Sequence, residues 1–498
     1  MSLSPRSKDF IPIHDHKELY EAASGGDLKK VISIMESCNC SAMYKDKNGN
    51  SALHHAAMRG HLNIVRYLTT IDAVNPASPS QDSMTPLHFS AMYGHLDVVA
   101  FLINEQNVDP WCYNDEKQTP LFMACGYGHL EVAEYLIQAL RIYMKLEDIV
   151  YDRDRKGATV LHIACMKNQL NIVMWLIQTL CCDPNTPGWL NRTPLQYAAQ
   201  GGALNVIKYL IEDQHCDPSC QDINKVTPLY VASLNGHLDA VKYLTLEKHC
   251  DPTCRDSDNV TPLHTAALNG HLEMVKLFIS ELNCNPNILG ERYRQPLHHA
   301  SKNGHLPIVK YLIEDQHCDP SCQDTKKVTP LHLASLMGHL DTVKYLTLEK
   351  HCDPMCRNSD NDTPLHTAAL NGHLEVVRFF ISKLNVDPNT PGQRDTQPLH
   401  HAAQNGHLLI VKYLIEDQHC DPSCQNTKQV TPLHLASLNG RLDTVKYLTL
   451  EKHCNPMCRN SDNDTPLHTA ALSGHLKVVK FFTSELNCNL NHPDERNR

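Results

Sequence analysis

The 498-residue chain is 42% hydrophobic and 20% charged, which supplies enough apolar side chain for a core and excludes the composition of a disordered protein. A formal net charge of −10, with no Lys/Arg-rich block in either half, excludes the phosphate-neutralising surface that nucleic-acid binding requires. Residues 1–27 hold no signal-peptide core and no run approaches ~18 apolar residues, so neither export nor membrane insertion is expected, and the 21 cysteines are expected as free thiols in the cytoplasm or nucleus.

In chain order, a polar segment over 1–16 leads into Glu18-Leu19-Tyr20-Glu21-Ala22-Ala23 and Gly25-Gly26-Asp27-Leu28, a degenerate copy of a pattern that then recurs along the chain. A leucine inside a Thr-Pro-Leu-His-like tetrapeptide follows at Leu53, Leu87, Leu121, Leu161, Leu195, Leu229, Leu263, Leu297, Leu331, Leu365, Leu399, Leu433 and Leu467, every step being 34 residues except one of 40. About fourteen repeats are therefore expected over 17–491. Residues 17–50 read as a capping repeat, because Asp27, Lys29 and Lys30 stand where later repeats carry His-Leu and apolar neighbours. The repeats over 51–193 are individual, with a short insertion near 141–150 expected as a longer loop and a candidate contact site. From 193 to 491 near-identical three-repeat blocks follow: Ile211–Cys220 returns as Ile313–Cys322 and as Ile415–Cys424, each 102 residues on. The tail over 492–498 stops partway into the loop of a further repeat, which reads as truncation of a longer array.

The copy beginning at Thr261 shows how one repeat is built. Thr261 suits a helix N-cap and Pro262 the first helical position, where its missing N–H is harmless. Leu263, Ala266 and Ala267 form a short apolar face whose alanines admit a close neighbour. Gly270 ends this helix, and Leu272, Met274, Val275 and Phe278 predict a second, antiparallel one. Cys284-Asn285-Pro286-Asn287 then turns the chain toward the next tetrapeptide.

The combination T-P-L-H-x-A-A-x-x-G-H-L-x-x-V at this period resembles the ankyrin repeat, over nearly the whole chain. The resemblance implies an α fold, a solenoid of antiparallel helix pairs with projecting hairpin-like loops, which binds protein partners on a concave face as a monomer and needs no cofactor. It also implies that the tetrapeptide histidine fixes its turn and links neighbouring repeats. In the family, exposed concave positions lie six, five and three residues before the tetrapeptide leucine and five and six after it. Those positions here hold Met84, Met92 and Tyr93, then Gln118 and Tyr127, then Met166 and Lys167, then Trp189 and Leu190, a concentration of interface-type side chains over 84–197. Further on they hold a leucine ladder at Leu234, Leu268, Leu336, Leu370, Leu438 and Leu472, for which packing between first helices competes with peptide binding. Asn185, Asn287 and Asn389 match a loop asparagine that asparaginyl hydroxylases modify in some members.

Thirty-two histidines raise a metal or catalytic reading, but ten follow the tetrapeptide leucine and ten the turn glycine, as parts of the repeat. His215-Cys216-x-x-x-Cys220 and its five copies present three soft ligands in six residues, a possible zinc set. Against zinc, the same columns carry Val108 and Val386, or Thr186 and Ser78, so small size rather than ligation is what the positions select. Asp152-x-Asp154 imitates a calcium loop but has Lys156 at a ligand position and Ile163 where the bidentate glutamate belongs. No phosphate loop, zinc helix, nucleophile elbow or kinase signature is present. The expected function is a non-enzymatic adaptor or scaffold that holds partner proteins. The alternatives are a substrate-recruiting or regulatory subunit of a ubiquitin ligase or other enzyme complex, and a metal- or redox-responsive protein built on the cysteine loops.

Overall fold

The computed structural model describes residues 13–37, 42–71 and 73–488. Most of the polar segment expected over 1–16, the tail expected over 492–498 and the side chains of His14, His16 and His492 lie outside the described residues. The chain divides into two compact bodies, 1–251 and 252–498, and each contains seven tandem helix pairs and, among the described residues, no strand.

Local chemistry accounts for each pair. In the eighth repeat Thr261 sits in extended backbone (φ −103°, ψ 165°) as N-cap, Pro262 opens the helix Pro262–Leu268, and Asn269 and Gly270 end it, Gly270 at φ +82°. The second helix begins at Leu272, runs to Lys276 and closes in a wider π turn, Leu277–Glu281. Every tetrapeptide leucine from Leu53 to Leu467 is buried, as are Leu19, Ala22 and Ala23 of the expected capping repeat. The two small positions that follow the tetrapeptide are Ala266 and Ala267 here, Ala334 and Ser335 in the tenth repeat, and Ala164 and Cys165 in the fifth, all buried. Small side chains let successive first helices pack on each other more closely than the second helices do.

In most repeats a buried imidazole links the repeat to the backbone just before the next, Phe122, Gln196 and Tyr230 taking its place in repeats 4, 6 and 7. His264 Nδ1 accepts the backbone N–H of Thr261 at 3.2 Å, so its proton must reside on Nε2, which donates to the carbonyl of Arg294 at 3.0 Å, thirty residues on. The same pair of bonds recurs at His88 with Gln118, His162 with Arg192, His298 with Val328, His366 with Thr396 and His400 with Val430. A second histidine column points the other way: the Nε2–H groups of His95, His129, His305 and His407 donate to carbonyls at the end of the preceding repeat's first helix. The linking role that the ankyrin resemblance implies for the tetrapeptide histidine is thus present in the geometry. Hairpin tips are joined as well, by single backbone bonds such as Thr325 N–H to Arg292 O at 2.9 Å and Thr427 N–H to Arg394 O at 2.9 Å.

The insertion is in part helical. Three turn residues follow Leu140, and a short helix, Leu146–Val150, buries Ile149 and Val150 where a plain loop was expected.

Burial lowers the pKa of the linking imidazoles from 6.5 to about 4, as for His264, His298, His366 and His400. Unfolded chain takes up these protons below pH ~6.5 while folded chain resists until pH ~4, so the stability they confer is complete above pH ~6.5 and is lost as pH falls toward 4. In the sixth repeat Gln196 does the same work without titrating: its Oε1 accepts the Thr193 N–H at 2.8 Å and its Nε2 donates to Val226 O at 2.6 Å. We expect His264→Gln with His366→Gln to leave stability at pH 7 within about 1–2 kcal/mol and to shift the acid-unfolding midpoint, read by circular dichroism, to lower pH. An unchanged or raised midpoint contradicts the assignment.

Gly270 supplies a second test. A Cβ there would lie 2.7 Å from His305 Cε1, in a ring that donates to Leu268 O at 2.9 Å, whereas Gly474, at φ +73°, has nothing within 4 Å of its Cβ position. Gly270→Ala is expected to cost about 2–4 kcal/mol and Gly474→Ala about 1 kcal/mol, the backbone term alone, in denaturant titrations.

Candidate protein-binding surface

The residues expected to face a partner lie in repeats 3–6, all within the first body. Their first helices, Pro86–Met92, Pro120–Tyr127, Val160–Met166 and Pro194–Gly201, pack in series. Tyr93 caps the first of these, Tyr127 is the last residue of the second, and Lys167 caps the third, so the three occupy equivalent places on consecutive helix ends. Tyr93 and Tyr127 are each 45% exposed and Trp189 is 58% exposed, while Lys167 is also exposed. Met92 and Met166 are half-buried beside them, and the Met92 carbonyl accepts the Nε2–H of the His129 ring.

Trp189 and Leu190 stand on a hairpin tip that is tied at several points. Leu190 and Asn191 adopt left-handed backbone (φ 57° and 61°), the Gly188 N–H closes the turn on Arg192 O at 2.7 Å, and Leu190 O accepts the Ile223 N–H of the next tip at 3.0 Å. Beneath the tip Arg192 Nε donates to Asp222 Oδ2 at 3.0 Å; the Asp222 side chain is fully buried, and its Oδ1 accepts the N–H groups of Asn224 and Val226.

Two of the expected residues serve the scaffold instead. Gln118 is half-buried, its amide donating to Asp154 Oδ2 at 3.1 Å and its carbonyl receiving His88. Met84 is half-buried with its sulfur 3.3 Å from Asn114 Nδ2. Asp154, the second aspartate of the calcium-like segment, is occupied on both oxygens, since Oδ1 accepts the N–H of Lys156 and of Ala158. Near these aromatic side chains the tips carry both signs of charge, with exposed Asp82, then exposed Asp115, Glu116 and Lys117, then exposed Arg155 and Lys156. Sequence reasoning passed over these charges, although their positions at the tips are readable from the period.

Of the leucine ladder, Leu268, Leu336, Leu370 and Leu438 are half-buried, and Leu234 and Leu472 are exposed. Asn185 and Asn287 are exposed and Asn389 half-buried, each with its main-chain N–H bonded to the side chain two residues before.

The cysteines of the His-Cys-x-x-x-Cys loops face different neighbours. The thiols of Cys250, Cys352 and Cys454 point to the carbonyls of Pro218, Pro320 and Pro422, 3.6–3.7 Å away in the preceding loop. The second cysteines, Cys322, Cys356, Cys424 and Cys458, lie 3.7–3.8 Å from Nδ1 of the tetrapeptide histidine of their own repeat. The adjacent histidines, such as His215 and His317, sit at left-handed backbone (φ 54°) and do not converge with them. Among the described residues no group of three His, Cys, Asp or Glu is placed to hold a metal ion. Burial pushes the thiols up, Cys356 to about 11 and Cys424 to about 12, which keeps them protonated and weakly nucleophilic at neutral pH.

A stack of capped helix pairs carrying rigid tips and exposed aromatic side chains defines a helical-repeat binding scaffold. The family model for ankyrin repeats, described as ankyrin repeats in three copies, matches in overlapping windows that together run from residue 19 to residue 494. The chain belongs to the ankyrin repeat family, whose repeats are a protein–protein interaction module and in general a non-catalytic one. No curated relative matches the chain. Among the described residues no helix is long and apolar enough to cross a membrane.

The near-identical blocks supply a natural double exchange for the ion pair under the tip. Arg192–Asp222 returns as Arg294–Asp324 at 3.1 Å, but the third copy has Thr396 and Asn426, and Asn426 Oδ1 still accepts the N–H of Lys428 and Val430. Arg294→Thr, which strands the buried carboxylate, is expected to cost about 3–5 kcal/mol, and adding Asp324→Asn to recover most of it. Equal losses in the single and double variants, by chemical denaturation, refute the pairing.

Proposed function

We propose that the chain is an adaptor that holds protein partners on the helix ends and hairpin tips of repeats 3–6, acting as a monomer in a reducing compartment, cytoplasm or nucleus. The observation that carries this reading is the set of large half-exposed aromatic side chains, Tyr93 and Tyr127 on the consecutive helix ends of repeats 3 and 4 and Trp189 on the hairpin tip of repeat 6, on backbone pinned by inter-repeat bonds. Aromatic side chains on a rigid support bury much area at little entropic cost, which is what an interface anchor requires. The acidic and basic side chains exposed on the tips around them favour a partner segment of mixed charge. Buried thiols with carbonyl or imidazole neighbours support a setting in which they stay reduced.

The test is affinity capture by the full chain and by a Tyr93→Ala, Tyr127→Ala, Trp189→Ala variant, with quantitative mass spectrometry. Because the three side chains are exposed, the melting temperature is expected to stay within roughly 2 °C. Specifically retained proteins are expected to fall by about tenfold or more. Equal retention by a variant with unchanged melting moves the binding face elsewhere.

A further inference from the structure

Between the second helices of repeats 3 and 4, Leu96–Asn104 and Leu130–Leu140, the first body holds a cavity of about 810 Å³. The insertion creates it. In regular repeats a short Asp-Pro turn follows the second helix and lies on the turn before it, as Cys216 shows by directing its thiol to Pro184 O at 3.9 Å. Repeat 4 has no such turn: after Leu140 the chain makes three turn residues and enters the helix Leu146–Val150. Ile149 and Val150 go inward, which turns Ile142 and Tyr143 outward to 72% and 83% exposure. The Asp109-Pro110 turn of repeat 3 therefore faces an opening in place of a second turn.

The wall of this opening has an uneven chemistry. Trp111, Tyr135 and Tyr143 contribute three aromatic rings, Ile142 and Met144 an apolar edge, and Asp109 is the one charged residue in the wall. The Asp109 carboxylate accepts the main-chain N–H of Trp111 at 2.8 Å, which fixes it in the turn that carries Trp111. Arg141 and Lys145 flank the insertion but are not part of the wall. Aromatic faces carry negative potential and attract cations, most strongly those that shed water easily. An unmethylated ammonium is strongly hydrated, and one exposed carboxylate cannot replace that hydration shell. A methylated ammonium gives up less water and presents methyl groups to the rings.

We propose that this cavity binds the methylated ammonium head of a methylated lysine on a partner polypeptide. Its volume falls within the range of roughly 300–1,000 Å³ typical of small-ligand sites. Exposed Ile142 and Tyr143 at the rim give the flanking backbone of a peptide an apolar surface to lie on, which a free small cation would not use. The site is formed by second helices and the insertion, apart from Tyr93, Tyr127 and Trp189, and does not rest on the adaptor reading.

The experiment is calorimetric titration of the full chain with a short Gly/Ser peptide carrying one central trimethyllysine. The comparison probes are the same peptide with lysine, with arginine or with the neutral tert-butyl isostere, and free tetramethylammonium. The trimethyllysine peptide is expected to bind about tenfold or more tightly than each of them. Tyr143→Ala, at a side chain 83% exposed, is expected to weaken it by a similar factor without changing the melting curve, and Trp111→Ala and Asp109→Asn to weaken it as well. Equal binding of the neutral isostere would show a merely apolar pocket, and equal binding of tetramethylammonium a site for free cations. Either result, or no heat with the trimethyllysine peptide at millimolar concentration, overturns the proposal.

Discussion

A buried imidazole with a hydrogen bond at each ring nitrogen is the constraint on which the rest of this chain depends. A single helix pair here exposes an apolar face it cannot bury alone, and packing of that face is non-directional. The tetrapeptide histidine adds direction, since it bonds the start of its own helix and the backbone just before the next one, and removing either partner would leave a polar atom in an apolar layer at a cost of about 1–3 kcal/mol. Substitutes follow the same chemistry: Gln196 supplies one acceptor and one donor in the same place. Where Phe122 takes the position, the buried Thr119 hydroxyl is left without a partner. Where the second histidine column is present it ties a repeat backward, as His305 and His407 do, and holds those neighbours at both ends of the first helix; Ala203 in the sixth repeat carries no such group.

The block duplication shows which contacts are held as sets. Tyr243, Tyr345 and Tyr447 are buried, each donating its hydroxyl to a glutamate of the preceding repeat, Glu212, Glu314 and Glu416, at 2.9–3.0 Å. A lysine of the same repeat bonds that glutamate and lies over the tyrosine ring in all three copies. Arg–Asp under the hairpin tip is kept whole in two copies and exchanged whole in the third. A buried carboxylate without its guanidinium is costly, so the two residues vary together.

Places where this regularity is broken are where the chain differs from a uniform stack. Tyr93 and Tyr127 put large rings at a position that repeats 7–14 fill with Asn, Met or Ser, and Trp189 puts one where those repeats carry Ile, Ser, Glu, Thr or Gln. The insertion after Leu140 replaces a turn by a helix and opens a cavity. Both lie in the first body, whose first five repeats share no such near-identity, while the second is built largely of copied blocks.

The sequence by itself determined the period, the capped helix starts, the turn glycines and the buried leucines and alanines, because Thr, Pro and Gly act within a turn or two and the pattern repeats thirteen times with little change. It also carried the zinc doubt, since valine and threonine in the cysteine columns report packing. Tertiary structure alone decided what each column does at a given repeat. Gln118 is drawn to Asp154 thirty-six residues away, whereas Tyr127 is left half-exposed; the two thiols of one loop turn to different neighbours; and the insertion hides Ile149 and presents Tyr143. Each of these outcomes depends on partners roughly one repeat distant in sequence or on the course of a helix that interrupts the period. A periodic reading treats every column as equivalent, and only the contacts made across repeats remove that equivalence.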